Sequence, residues 1–295
     1  MYNQTSNFIT RFLNIMIYYK TPKFKKASYL VLFTTLVLIL QACSTAPITG
    51  RKQLLLVPES QAINASAEAY VAMLEPIEKD GKLDNDPKLK ARVDLITGKL
   101  IAQAIKYRPD TKNWNWSVHV IDEPAMVNAW CMAGGRMAIY TGLINQIKPS
   151  DDELAQVMGH EIAHALAKHT AEKMSVAMAT NMAVQVAATQ FENQQLALQG
   201  AALAASVAIT LPNSRTAESE SDRIGIEIAA KAGYDPRAAA TLWEKMGQAS
   251  GGSSFDFLST HPAPSKRMKT LRELAPSMMP YYEAKGERPV YQMVN

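Results

Sequence analysis

Cysteine is scarce in this sequence, and long apolar runs are absent. Two cysteines among 295 residues exclude a small fold held together by several disulfides. No apolar run reaches the roughly 20 residues that a membrane-spanning helix needs. The 47% hydrophobic and 20% charged residues are instead typical of a globular protein with a substantial buried core.

An excess of positive charge is also missing once the first 42 residues are set aside. The whole chain carries a formal net charge of +4, with 31 basic and 27 acidic residues. Five of the basic residues and none of the acidic ones lie in residues 1–42, so the remainder has a net charge of −1. We therefore expect no nucleic-acid partner.

Residues 1–42 have the order of a secretory leader. A basic cluster at Lys20–Lys26 precedes an apolar run at 29–40, and Leu-Gln-Ala leads into Cys43. The run is short for a membrane span but suits a signal peptide. The last four residues resemble a bacterial lipobox, which predicts cleavage before Cys43 and a lipid on that cysteine. The alternative is an uncleaved signal anchor with an incidental cysteine.

Lipidation at Cys43 would anchor the protein to a membrane, with residues 43–53 as a tether. Ser44 follows, not Asp, and by resemblance to enterobacterial lipoproteins this favours the periplasmic face of the outer membrane over the inner membrane. Cys131 is then left without a partner, and we expect it to pack as a small apolar side chain.

The remaining sequence predicts an α+β fold that is predominantly helical. Apolar spacing predicts helices over 60–77 and 87–107, and alternation predicts a strand at 114–121. Residues 127–144 are typical of a hairpin around Gly134 and Gly135, which gives a small mixed or antiparallel sheet. We place one domain at 54–274 and a tail at 275–295.

An Ala- and Met-rich tract covers about 174–211, interrupted at 191–195. Polar residues within each half argue against a membrane span. A pair of helices packed over the core is the plainer interpretation, and a mobile lid or a membrane-facing element is the alternative. His119, on the predicted strand, is interpreted as structural.

The sequence HEIAH at 160–164 predicts a metal site on a helix that begins at Asp151. Histidines four residues apart lie about 40° apart around a helix, so His160 and His164 share a face and can bind one cation. Glu161 can then reach a water on that cation. The plain alternative is a chance match in an Ala-rich helix.

A catalytic zinc needs a third protein ligand. On a continuous helix His169 would point about 140° away from His164, so we interpret it as a surface or packing histidine. The metzincin pattern also fails, because Ala167 and Thr170 stand where it requires Gly and His.

The better candidate lies on a second predicted helix within 213–230. Glu218 and Asp222 are one turn apart on a single face, whereas Glu220 faces elsewhere. Glu218 can complete a His-His-Glu site, and Asp222 can accept a hydrogen bond from the free ring nitrogen of a ligating histidine. Without HEIAH, this would be an ordinary acidic, solvated face.

These motifs together resemble the HtpX-like and CAAX prenyl protease 1-like zinc metalloproteases, which are HExxH gluzincins. The resemblance runs from about Leu54 to Leu274 and implies a zincin-like fold with one zinc per chain. Ser221 stands where the family usually has Ala. Multi-span members are integral membrane proteins, whereas this sequence predicts no membrane span after its leader. The chain is therefore more similar to a periplasmic lipoprotein branch. The matching residues are His160-Glu161-Ile162-Ala163-His164, Ser214-Arg215, Glu218, Glu220, Asp222, Gly225, Asn128-Ala129 and Gly134-Gly135.

The segment THPAPSKR at 260–267 is similar to a family motif of His-Pro followed by a basic residue. His261 is a candidate fourth ligand that closes the open metal position, or a donor to the developing oxyanion. The plain alternative is a loop histidine in a turn stiffened by Pro262 and Pro264.

The expected reaction is peptide-bond hydrolysis. Zinc activates a water and polarises the carbonyl, while Glu161 takes the proton and passes it to the leaving amine. The resemblance implies that the strand Asn128, Ala129, Trp130 and Cys131 pairs with extended substrate through its backbone. Such pairing predicts broad specificity for unfolded segments.

We therefore expect an endopeptidase of the bacterial envelope whose partners are unfolded or misassembled envelope polypeptides. The alternative is a largely latent lipoprotein that acts as a chaperone-like or assembly factor for outer-membrane proteins, in contact with their assembly machinery. A purely structural lipoprotein without zinc is the remaining interpretation.

Overall fold

A short hairpin opens the described part of the chain. The structure, a computed structural model, describes residues 43–190, 214–249, 257, 261 and 264–293. Strands β1 (Cys43–Thr45) and β2 (Lys52–Leu54) form a two-stranded sheet. Between them, the amide of Ala46 donates to the carbonyl of Arg51 at 2.7 Å, and Gly50 has a φ of 69°.

Two long helices follow, as the apolar spacing predicts. Helix α1 spans Glu59–Lys79 and α2 spans Pro87–Tyr107. Asp86 caps α2 by accepting hydrogen bonds from two backbone amides of its first turn, and Pro87 supplies the fixed φ that suits the first helical position. The buried face of α2 carries Val93, Ile96, Leu100, Ile101 and Ala104.

A mixed three-stranded sheet lies next in the chain, after a 3₁₀ turn at Pro109–Asn113. Its strands are β3 (Ser117–Ile121), β4 (Ala129–Cys131) and β5 (Arg136–Tyr140). The order is β3-β5-β4: β5 pairs with β4 as the predicted hairpin and with β3 in parallel. Strand β4 is therefore an edge strand of this sheet.

The rest of the described chain is mainly helical, and α7 packs against both α4 and α8. The shared core contains Trp116, Met137, Ile139, Leu154, Met158 and Ile162, all buried. No helix among the described residues is both long and apolar enough to cross a membrane. The helices are α3 (Thr141–Ile147), α4 (Asp151–Leu166), α5 (His169–Gln190), α6 (214–231), α7 (Ala238–Ala249) and α8 (Pro264–Glu283).

The residues on either side of the predicted domain limits, 54 and 274, pack into the fold, and those limits stay a prediction. The described residues from Ser44 onward belong to one compact unit. The predicted tether contributes buried Ala46 and Gln53, and residue 274 lies inside α8. Beyond that helix the amide of Tyr291 donates to the carbonyl of Gly98 at 3.0 Å. The segments before residue 54 and after α8 are short and bury few apolar residues, so their sequences show no hydrophobic periodicity that would have predicted this packing.

The Ala- and Met-rich tract is described only in part. Its first half belongs to α5, as the helical interpretation expects. Residues 191–213 lie outside the described residues, and so does the leader at 1–42.

Candidate metal centre

Helix α4 carries the HEIAH residues and begins with a capping box. The Ser150 hydroxyl accepts from the backbone N–H of Glu153 at 3.2 Å, and the Glu153 carboxylate accepts from the backbone N–H of Ser150 at 2.8 Å. Two turns of helix further on, the Nε2 atoms of His160 and His164 lie 3.0 Å apart. Both imidazoles are buried, so they converge on one interior point.

Helix α6 brings Glu218 to the same point. Its Oε2 lies 3.3 Å from Nε2 of His160, and its Oε1 lies 3.4 Å from Nε2 of His164. The two helices approach closely at Gly225, where a Cβ atom would lie 2.8 Å from the backbone nitrogen of His160. A glycine is therefore required at this crossing.

His261 completes the cluster from the far end of the chain. Its Nδ1 lies 2.8 Å from Oε2 of Glu218 and 3.3 Å from Nε2 of His160. Phe257 holds it, because the His261 amide donates to the Phe257 carbonyl at 2.8 Å and the ring centroids are 4.5 Å apart. His160, His164, Glu218 and His261 are all buried, with one ligand atom each within 4.8 Å of the others.

This donor set fits a zinc ion. Zinc takes imidazole nitrogen and carboxylate oxygen at about 2.0–2.2 Å, so tetrahedral ligand atoms lie about 3.3–3.5 Å apart. The separations between the donor atoms of His160, His164 and Glu218 are 3.0–3.4 Å.

The carboxylate of Glu161 has a buried oxygen without a hydrogen-bond donor among the described residues. Its Oε1 is buried and accepts no hydrogen bond from the residues that the structure describes. That oxygen lies 3.4 Å from Nε2 of His261, and so at the edge of the four-residue cluster. A buried acceptor of this kind requires a donor, and a water held beside the cluster would supply one.

Asp222 and Arg267 contact the candidate ligands His160 and Glu218 and hold them in position. Oδ1 of Asp222 lies 3.1 Å from Nδ1 of His160, and this contact turns Nε2 of the ring towards His164 and Glu218. The Arg267 guanidinium donates to Asp222 at 2.8 Å and to Glu218 at 2.9 Å, and it stacks on Trp243 at 4.0 Å. The motif THPAPSKR at 260–267 identified Arg267 only as a basic residue, and the sequence did not reveal which side chains it contacts.

The pKa values follow from burial and from these contacts. Burial and the charge of Arg267 act to lower the pKa of His160, but hydrogen bonds to Asp222 and Glu218 raise it to about 9. Burial, with the neighbouring histidines, holds the pKa of His164 well below its usual value. Burial acts to raise the pKa of Glu218, yet hydrogen bonds from His160 and His261 hold it far below the usual range. The centre therefore presents ionised carboxylates to a cation.

His169 does not continue the helix of His164, so the expected direction of its ring was wrong, but the ring is buried, which agrees with the packing alternative and not with the surface one. Helix α4 ends at Leu166, Lys168 adopts a left-handed φ of 61°, and α5 begins at His169. The redirected ring is 2% exposed, and its Nδ1 lies 2.8 Å from Nδ1 of His164. No Gly or Pro marks this break, so the sequence carried no signal for it.

Glu220 faces away from Glu218, as its helical position predicts, and contacts His169 instead. Its Oε2 lies 2.9 Å from Nε2 of His169. Burial acts to raise the pKa of Glu220, but hydrogen bonds from His169, Thr49 and Arg51 lower it to about 2.

The predicted substrate strand lies at the edge of the sheet. Ala129, Trp130 and Cys131 pair with β5 on one side, and no other described strand pairs with them. Burial, and the nearby charge of Glu161, raise the pKa of the Cys131 thiol, which is buried and free. Asn128 precedes the strand, and its carbonyl accepts from Tyr140 at 3.1 Å. Pairing of this strand with substrate stays a prediction.

His119 lies outside the four-residue cluster. Its Nδ1 is 2.5 Å from a carboxylate oxygen of Asp84, and its ring contacts Tyr70. These contacts agree with the structural interpretation of this histidine.

Comparison with known proteins assigns the family. A family model described as "Peptidase family M48" matches residues 87–275. The chain belongs to peptidase family M48. The matched region contains both site helices α4 and α6, and most of α8.

Several curated relatives are metalloproteases. The chain is 40% identical to "Mitochondrial metalloendopeptidase OMA1" of Arabidopsis thaliana over 59% of this chain and 35% of that protein. It is 30% identical to "Putative beta-barrel assembly-enhancing protease" of Vibrio cholerae over 70% of this chain and 43% of that protein. It is 26% identical to "Metalloprotease YcaL" of Escherichia coli over 81% and 96%. The chain spans less than half the length of the Arabidopsis and Vibrio relatives.

Family M48 confirms the predicted metalloendopeptidase class and the helical α+β zincin-like fold. The resemblance to HtpX-like and CAAX prenyl protease 1-like proteases is confirmed at the level of this family, of which they are a related branch. Membership also implies a metal, which the cluster of three histidines and one glutamate suits. Placement in a lipoprotein branch stays a prediction.

Proposed function

We propose that this protein is a zinc-dependent endopeptidase with His160, His164 and Glu218 as metal ligands. One observation carries the proposal: the donor atoms of these three side chains converge in the interior at separations of 3.0–3.4 Å. Glu161 is the catalytic residue, because its carboxylate lies at the edge of this cluster with an oxygen that lacks a hydrogen bond from the described residues.

The metal supplies Lewis-acid chemistry, which lowers the pKa of a water and polarises a peptide carbonyl. Glu161 accepts the proton of the attacking water and donates it to the leaving amine, while hydroxide adds to the carbonyl carbon and the C–N bond breaks. Asp222 holds Nδ1 of His160, and Arg267 balances the charges of Asp222 and Glu218.

The substrates we propose are unfolded or misassembled polypeptides. An edge strand beside Glu161 offers backbone groups to an extended segment, and such pairing selects conformation more than side chains. Digestion of a denatured protein should give cleavage at many dissimilar sequences. A narrow side-chain preference across that digest would contradict strand pairing as the main source of recognition.

We propose the bacterial envelope as the location, with the protein anchored through a lipid on Cys43 at the periplasmic face of the outer membrane. The lipobox-like sequence before Cys43 supports this, and so does the similarity to a protein named as a β-barrel assembly-enhancing protease. Labelling with a radioactive fatty acid should be lost in Cys43→Ser and kept in Cys131→Ser.

A second candidate function is that of a largely latent protein that binds or assembles outer-membrane proteins. The position of His261 favours it, since its ring lies between Glu161 and Glu218, where substrate would need access. Such a protein would retain its clients and its biological effect in Glu161→Gln. Loss of both in that variant would exclude this candidate.

Elemental analysis together with casein cleavage tests the proposed function. Wild-type protein should contain one zinc per chain and cleave casein, and Glu218→Ala should lose both. Glu227→Ala is the matched control, because Glu227 lies on the same helix but pairs with Lys231. Zinc without cleavage would favour the latent candidate, and unchanged zinc in Glu218→Ala would reject this ligand set.

A further inference from the structure

The ring of His164 is held on the side opposite its metal-binding nitrogen. Its Nε2 faces His160 and Glu218, while its Nδ1 lies 2.8 Å from Nδ1 of His169. Nε2 of His169 lies in turn 2.9 Å from Glu220. All of these side chains are buried, so a continuous carboxylate–imidazole–imidazole chain reaches the candidate ligand.

One set of proton positions satisfies this chain. If Nε2 of His164 binds a metal, its Nδ1 carries the hydrogen and donates to Nδ1 of His169. A neutral His169 then carries its hydrogen on Nε2 and donates it to the Glu220 carboxylate. The carboxylate therefore selects the tautomer of His169, which in turn selects that of His164.

The N-terminal hairpin supplies the remaining partners of this carboxylate. The Thr49 hydroxyl donates to Oε1 of Glu220, and Nε of Arg51 donates to Oε2 at 2.8 Å. The other two guanidinium nitrogens of Arg51 bind Glu172 on α5 at 2.8 and 2.6 Å. Arg51 thus links α5 and α6, and such a fork of donors fixes both carboxylates in position.

The same hairpin also holds the break between α4 and α5. The Gln53 amide donates to the carbonyl of Ala167 at 2.7 Å and to Glu172 at 2.9 Å. Gln53 is 2% exposed, so water does not compete for these contacts. This is the turn that redirects His169 towards His164.

We propose that the hairpin at residues 44–54 positions the metal centre, because Thr49 and Arg51 fix Glu220, Glu220 fixes His169, and His169 orients the ring of His164. The proposal rests on the proposed function only in taking His164 as a metal ligand. Thr49, Arg51 and Glu220 are positioning residues that touch neither the metal position nor substrate. Partners of this kind typically change metal affinity by about 10–100-fold when removed.

Zinc affinity of the full-length protein, measured by competition with a chromogenic chelator, tests this proposal. Arg51→Ala and His169→Ala should each weaken zinc binding by about 10–100-fold. Arg92→Ala is the control, since Arg92 binds Asp151 and the Pro149 carbonyl at the opposite end of α4 and should leave the affinity unchanged.

The double variant Arg51→Ala/His169→Ala distinguishes positioning from a general loss of stability. If Arg51 acts through His169, the double variant should bind zinc no more weakly than His169→Ala alone. Additive losses of affinity would overturn the proposal. A lowered melting temperature with wild-type zinc affinity in Arg51→Ala would also overturn it.

A milder pair of variants covers the case in which Arg51→Ala does not fold. Thr49→Val removes the hydroxyl and should weaken zinc binding, whereas Thr49→Ser keeps it and should restore wild-type affinity. Equal affinities for these two variants would contradict the proposal. If the wild type binds one zinc per chain and the hairpin variants bind it equally well, the positioning role is rejected and the proposed function stands. If the wild type binds no zinc, the proposed function is rejected as well.

Discussion

At the scale of single residues, Glu161 differs from the other buried carboxylates of the centre. Glu218 and Asp222 each receive hydrogen bonds from Arg267, whereas Oε1 of Glu161 receives none from the described residues. Glu161→Gln keeps the shape of the side chain but cannot accept a proton. We expect zinc content to be unchanged and kcat/KM for casein to fall by about 10²–10⁴-fold.

The control for Glu161→Gln is Glu123→Gln, which alters a partly exposed glutamate paired with Lys82 and should keep full activity. Full activity in Glu161→Gln would show that another residue moves the proton. Loss of zinc in that variant would show that Glu161 is itself a ligand.

The raised pKa of His160 predicts how metal binding depends on pH. A histidine must lose its proton to bind a metal, and the pKa of His160 is about 9 without one. Protons therefore compete below pH 9, and zinc affinity should rise by about tenfold per pH unit between pH 7 and pH 9. Chelator competition across this range measures the slope.

Asp222→Asn tests the cause of that pH dependence. It removes the negative charge beside Nδ1 of His160, so the pH dependence should shift to lower pH. A flat profile in the wild type, or an unshifted profile in the variant, would contradict the assignment to His160.

The sequence predicted those site residues that are related by helical spacing. His160 and His164 share a face of one helix, and Glu218 and Asp222 share a face of another, so periodicity alone placed each pair together. The contacts of Arg267 were not predictable, since they depend on how α8 crosses α6. His169 was misplaced because its position depends on a left-handed residue that no Gly or Pro marks.

At the scale of elements, the crossing of α4 and α6 sets the distance between ligands. A Cβ on Gly225 would lie 2.8 Å from the backbone nitrogen of His160 and 2.9 Å from the carbonyl carbon of Gly159. Gly225→Ala should therefore force the helices apart and move Glu218 away from His160. We expect weaker zinc binding and a loss of about 1–3 kcal/mol in the free energy of unfolding, measured by urea denaturation.

Gly247→Ala is the matched control, because a Cβ there meets open space within α7. It should leave zinc affinity unchanged and raise the free energy of unfolding by about 0.5–1 kcal/mol, the usual advantage of Ala over Gly in a helix. Wild-type zinc affinity in Gly225→Ala would show that the close crossing is not needed.

Local signals explain which elements the sequence predicted. The N-terminus of α2 was predicted because Pro87 is a strong start signal, and the hairpin of β4 and β5 because Gly134 and Gly135 permit its turn. The parallel pairing of β3 with β5 has no local signal, since it is decided by packing between distant segments. The 3-residue strands of the N-terminal hairpin are too short to show periodicity.

At the scale of the whole molecule, the metal should act as part of the fold. The proposed ligands His160 and His164 lie on α4 and Glu218 lies on α6, so a bound ion would tie together two helices that are distant in the sequence. Free zinc at about 1,000 times its Kd adds about 4 kcal/mol of stability. For a chain of this size that raises the melting temperature by roughly 10 °C.

Differential scanning calorimetry with and without a chelator measures this shift. His164→Ala is the control, because a protein that has lost a ligand should show little change between the two conditions. An equal shift in the wild type and in His164→Ala would mean that zinc stabilises the fold from another site.

The contacts of the N-terminal hairpin determine when the metal centre can form during synthesis of the chain. Arg51 is made early, yet its partners Glu172 and Glu220 lie 121 and 169 residues further along the chain. Contacts so distant in sequence form late, after the loops between them have closed. A nascent chain that ends before residue 218 therefore lacks both Glu218 and Glu220, so the proposed metal centre cannot assemble until that part of the chain has been synthesised.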